Sequence, residues 1–198
     1  MTSTGWMHYR EGDVAPSWGL KTFPPWDDNE GQYLWEWFEW LGHLCVDKKV
    51  THIFIEDTRF THRKLIDDTA SGHAETLSQL IASIGLIGQA AIVAYKLSQR
   101  GQPIEFQSVS PIDWRKEFLG VMPKPAGIVP AIWRQMLKEA AVRQCHLRGW
   151  LIDSDDIADA GGIMTYGICT IDPKFRGKQG PLFNRAAAAH DAFVRVNK

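Results

Sequence analysis

Val50-Thr51-His52-Ile53-Phe54-Ile55-Glu56-Asp57, VTHIFIED, is the stretch on which the fold class turns. The β-branched and aromatic residues from Val50 to Ile55 predict a strand, and the run stops at two acids. Helical patterns stand on both sides of it. The strand is therefore expected inside a sheet covered by helices, where groups at its C-terminal end face the crevice in which α/β proteins bind ligands. Glu56 becomes a candidate site residue on that ground, although an exposed strand-end carboxylate accounts for it equally well.

Upstream, Asp27, Asp28 and Asn29 can cap a helix in which Leu34, Trp37, Phe38, Leu41, Leu44 and Cys45 recur at intervals of three and four. This Trp-rich stripe reads as core. Before it, Gly5–Arg10 and Trp18–Phe23 flank a turn at Glu11-Gly12-Asp13 and predict a hairpin that Pro24-Pro25 ends. Downstream of the strand, Arg59, His62, Arg63 and Lys64 form a basic loop beside the acids. A long helix is predicted over 72–99, with Leu77, Leu80, Ile81, Ile84, Ile87, Gly88 and Ala91 on its packed face. Gly85 and Gly88 weaken such a helix and imply close packing, against the sheet or a second subunit. Phe106–Val109 predicts another strand. Ile112–Gly120, IDWRKEFLG, predicts a short helix with Trp114 and Phe118 inward and Arg115 and Lys116 outward. Pro123, Pro125, Gly127 and Pro130 mark a loop, and a helix follows over 131–148 bearing Arg134, Lys138 and Arg143.

Leu151–Gly167, LIDSDDIADAGGIMTYG, is the second stretch that carries chemistry. With Ser154 or Asp155 as N-cap, Asp156 and Asp159 fall three apart and share one face of the first turn. Ile157, Ala160, Ile163, Met164 and Ile168 supply the packed face. One acid at a helix start is explained by the helix dipole. Asp153, Asp155, Asp156 and Asp159 together exceed what capping needs, and crowded carboxylates call for a positive partner, of which a hard divalent cation is the usual one. An acidic solvated helix start is the alternative.

The chain has 198 residues, 44% of them hydrophobic, which suits one domain over 1–170 with a tail over 171–198 holding a short helix at 185–196. A net charge of −1 argues against a generally basic nucleic-acid binder, but the charge is uneven. Residues 1–60 hold ten acids against five bases, whereas 171–198 hold two against six, so a polyanion is expected to approach the later part. Cys45, Cys145 and Cys169 lack metal-ligand spacing and read as reduced, buried thiols. No segment has transmembrane length, and Met1–Trp18 lacks the pattern of a signal peptide. These features predict a cytoplasmic protein that does not act at a membrane.

The ordered set of strand-end Glu56 in IFIED, Pro111-x-x-Trp114-Arg115-Lys116 followed by Gly120, and Asp156-x-x-Asp159-Ala160 resembles the RuvC-like Holliday-junction resolvases, phage-type members especially, of the RNase H-like superfamily. The similarity covers residues 2 to about 170. It implies an α/β fold, a mixed five-stranded RNase H-like sheet flanked by helices. It also implies a homodimeric nuclease that cuts branched DNA such as Holliday junctions with Mg²⁺ or Mn²⁺, in a bacterial or phage-infected cell. By position, Glu56, Asp156 and Asp159 would be the catalytic metal ligands. Arg115 and Lys116 would contact phosphate, with Arg59, Arg63, Lys64 and Lys124 as further DNA-facing cations. Family members open on a strand ending in Asp and followed by Thr-Gly-Trp. Thr4-Gly5-Trp6 matches the second part, whereas the Asp would fall ahead of Met1. The first strand is thus expected to be truncated, and a DNA-binding relative with impaired cleavage is the alternative to an active nuclease. Several carboxylates are needed because two Mg²⁺ ions about 4 Å apart activate the water and stabilise the leaving oxygen.

Overall fold

In a computed structural model of the chain, residues 2–25, 29–57 and 73–175 are described. Among them lie four strands and five helices: β1 Thr2–His8, β2 Ser17–Phe23, α1 Glu30–Asp47, β3 His52–Glu56, α2 His73–Gln99, β4 Glu105–Val109, α3 Pro111–Leu119, α4 Pro130–Leu147 and α5 Asp155–Ile171. The protein is mixed α/β with small sheets, one antiparallel and one parallel. β1 pairs with β2, and β3 pairs with β4, where the resemblance implied one five-stranded sheet. The described residues group into two compact units: those at 2–3 and between 21 and 113 form one, and those at 4–20 and 114–175 form the other.

In the first unit, α1 starts where the sequence predicts. The Asn29 side chain accepts a hydrogen bond of 2.9 Å from the Gln32 backbone N–H, satisfying one of the open donors of the first turn. Trp37, Leu41 and Cys45 are buried as expected, joined by Tyr33, while Leu34 and Phe38 pack partly buried beside them. Phe23 closes this cluster edge-on to Tyr33 and Trp40, at 5.7 and 5.6 Å between ring centres. β3 and β4 are parallel, with Glu56 opposite Val109, so α2 serves as the crossover that parallel strands require.

The buried face of α2 differs from the expected one. Ala90, Val93, Ala94 and Leu97 enter the core, whereas Ile81, Ile84, Gly88 and Ile92 are exposed. The helix also approaches α1 closely at Gly85, where an added methyl group would stand 3.1 Å from a Leu34 methyl. At Gly88 it would meet nothing within 4 Å, so only the first of the two glycines marks tight packing.

In the second unit, Gly12 takes a φ of 92°, which turns the chain between β1 and β2. α3 buries Trp114 and Phe118, as its spacing predicts. α4 buries Ala141 and Cys145. On α5, Ala158, Gly161, Gly162, Thr165 and Cys169 are buried, while the predicted Ile157, Ala160, Ile163, Met164 and Ile168 stand half-buried on the flanks. The reason is close approach: a methyl group at Gly162 would lie 2.4 Å from the Trp114 ring, and one at Gly161 would lie 3.3 Å from Cys145 Sγ. Cys45, Cys145 and Cys169 are free and buried, as expected. No helix among the described residues is long and apolar enough to cross a membrane. The predicted helix at 185–196, with most of the tail, lies outside the described residues.

Candidate functional site

Ser154 is the N-cap residue of α5 by backbone geometry, but its side chain makes no capping bond. Asp155 takes part of that role, accepting the Asp156 backbone N–H at 3.0 Å through Oδ1. Its other oxygen accepts a hydrogen bond from Lys138 Nζ, which reaches across from α4. The hydrogen bond from Lys138 holds the Asp155 carboxyl below its ordinary value, and the same bond pushes the Lys138 ammonium up. Asp156 and Asp159 raise Lys138 further through their charge. Lys138 thus stands in the field of three carboxylates.

Asp156 and Asp159 occupy one face of the first turn, half-buried. Asp159 Oδ2 lies 3.9 Å from Arg115 Nη2 on α3. Arg115 does not point freely outward as expected. Its guanidinium lies 4.8 Å from the Trp114 ring centre and leans toward Asp159, because burial of Trp114 fixes the helix face beside it. Lys116 and Lys124 are exposed. Two helices therefore each bring one cation to the acids at the start of α5. Repulsion among those acids is relieved by side chains that donate hydrogen bonds to anions of any kind, phosphate oxygens included.

Glu56 ends β3 in the first unit, half-buried. Beside it, Asp57 is 2% exposed, and its backbone N–H donates to Val109 O at 2.7 Å, extending the ladder by one bond. Arg59, His62, Arg63 and Lys64 lie outside the described residues. The carboxylates fit the hard oxygen donors that Mg²⁺ prefers, in kind. In number they fall short within the described residues, where no three His, Cys, Asp or Glu side chains gather to hold a metal ion.

Two residues that the sequence names without a site role belong here. Lys138 stands three residues before the buried Ala141 and seven before Cys145 on α4, so, though exposed itself, it lies along the packed side and reaches Asp155. Asp57 continues the alternation of Ile53 and Ile55, so its side chain turns inward. Compared with protein-family models and with curated proteins, the chain matches none.

Proposed function

We propose that the protein is a metal-dependent DNA endonuclease of the RuvC-like, RNase H-like kind, which nicks branched DNA such as a four-way junction. The observation that carries the reading is the start of α5, where Asp156 and Asp159 share one face and Arg115 and Lys138 converge on the acids from two other helices. Carboxylates for a metal and cations for a phosphodiester are the two needs of phosphate-ester cleavage, and here they occupy one small surface. Asp156 and Asp159 would hold Mg²⁺ or Mn²⁺, with Glu56 as the further ligand that the resemblance implies, and the ion when bound supplies charge to activate water and stabilise the leaving oxygen. Asp155 keeps the Lys138 ammonium in place. Arg115 and Lys138, with Lys116 and Lys124 exposed nearby in sequence, bind and orient the DNA backbone. A two-fold symmetric substrate suits a homodimer.

A second reading is a DNA-binding relative without cleavage, which needs only the cations Arg115 and Lys138 at this surface. Cleavage of a synthetic four-way junction in Mg²⁺ separates the two. The nuclease reading expects paired nicks, lost by a factor of at least about 100 in Asp156→Asn and Glu56→Gln. Junction binding that weakens with salt and ignores Mg²⁺, with no nicks in the unaltered chain, supports the binding reading instead.

A further inference from the structure

β1 and α5 lie against each other through a face of β1 that carries almost no side chain at one point. A methyl group placed on Gly5 would lie 2.1 Å from the Asp156 carbonyl oxygen, 2.3 Å from its carbonyl carbon and 2.6 Å from the Ile157 nitrogen. These are backbone atoms of the first helical turn, so no side chain can swing aside to make room. Two residues along the strand, the Met7 Cε methyl lies 3.2 Å from where a methyl group on Gly161 would stand. Gly5 to Met7 spans about 7 Å of strand, and Asp156 to Gly161 spans about 7.5 Å of helix. Over this stretch the strand thus runs in the same sense as the helix, and the Tyr9 ring, just past the end of β1, lies 6.2 Å from that of Phe175 beyond the helix end. On the opposite face of β1, Trp6 covers Gly19 of β2, where a methyl group would lie 2.9 Å from the indole nitrogen. Beside the point where it touches Asp156, the strand is thus also tied to β2.

We infer that Gly5 is a positioning residue for Asp156: the bare Cα at this strand position sets where the first turn of α5, and with it the carboxylate, comes to rest. The inference rests on the proposed metal-binding role of Asp156, but its geometric part stands apart from that role. Ordinary contact for a side-chain carbon begins at 3.4 Å. Any residue larger than glycine therefore drives strand and helix start apart by about 1 Å, and a misplacement of that size is worth roughly 100-fold in rate at a reacting centre.

The test compares the unaltered protein with Gly5→Ala and Met7→Ala by backbone-amide NMR and by titration with Mn²⁺ alone. Met7→Ala loosens the same contact without a clash at Asp156. In Gly5→Ala the Asp156 and Ile157 amide resonances shift and the Mn²⁺ midpoint rises by at least about tenfold, while Met7→Ala loses stability and keeps the midpoint. Unmoved amides in a folded Gly5→Ala overturn the inference, as does an equal rise in midpoint in both variants. An unaltered protein that binds no Mn²⁺ defeats the metal reading alone, since the amide shifts still decide the role of Gly5. Should Gly5→Ala not fold, the nuclear Overhauser contact between Gly5 Hα and the Ile157 amide in the unaltered protein decides: its presence upholds the close approach, and its absence refutes it.

Discussion

Gly162 shows how much a single missing side chain carries in this molecule. Its Cα faces Trp114, which is fully buried and has nowhere to retreat, and Phe118 stands next in line at 3.2 Å from an added methyl. Glycine inside a helix costs about 1 kcal/mol relative to alanine. Overpacking a rigid core costs about 1–3 kcal/mol, so the clash outweighs the gain in propensity. Gly162→Ala is expected to lower stability by about 1 kcal/mol net, measured as the urea midpoint at constant slope. A stabilised variant would show that Trp114 can move. The sequence reading found Asp156 and Asp159 because their spacing alone places them on one helical face. It quoted Gly5 only within Thr4-Gly5-Trp6 and gave Gly161 and Gly162 no packing role, since a glycine leaves no periodic mark and reveals its use only when the neighbouring atoms are seen.

At the scale of elements, α2 offers a contrast between two glycines three residues apart. Gly88 is exposed and open on all sides, so Gly88→Ala is expected to stabilise the protein by about 1 kcal/mol through helix propensity alone. Gly85→Ala should gain less, because the Leu34 methyl at 3.1 Å must first give way. Equal gains at the two positions, measured by urea unfolding, would mean that α1 and α2 do not hold their close contact in solution. The existence and type of each described element was legible from periodicity and from turn residues such as Gly12 and Pro111. The inward face of α2 was not. A reading by hydrophobicity favours Ile81 and Ile84, whereas the packing buries Ala90 and Ala94 and leaves those two exposed. The same bias toward large residues misplaced the buried face of α5.

Across the whole molecule, burial of thiols ties stability to alkaline pH. Burial pushes Cys45 and Cys145 from 9.0 to about 12, one in each compact unit. Between those values the unfolded chain releases protons that the folded chain keeps, so stability is full below about pH 9 and falls as pH rises toward 12. Each thiol contributes a slope of up to about 1.4 kcal/mol per pH unit. Urea midpoints at pH 8 and pH 10 should therefore diverge, and Cys145→Ala should narrow the gap. A gap unchanged by that substitution would locate the alkaline loss elsewhere. The division into two units was not legible in the sequence, because the first unit takes its strand pair from 52–56 and 105–109 while the second joins residues 4–20 to 114–175.

That joining has a kinetic side. The contact between Gly5 and the Asp156 backbone links positions roughly 150 residues apart, and such long closures are slow to form because chain entropy is lost before any packing is gained. On the ribosome, β1 would be made roughly 150 residues before its partner helix and wait for it to appear. Until then the Met7 face of β1 stays uncovered, which leaves the nascent hairpin open to chaperone binding.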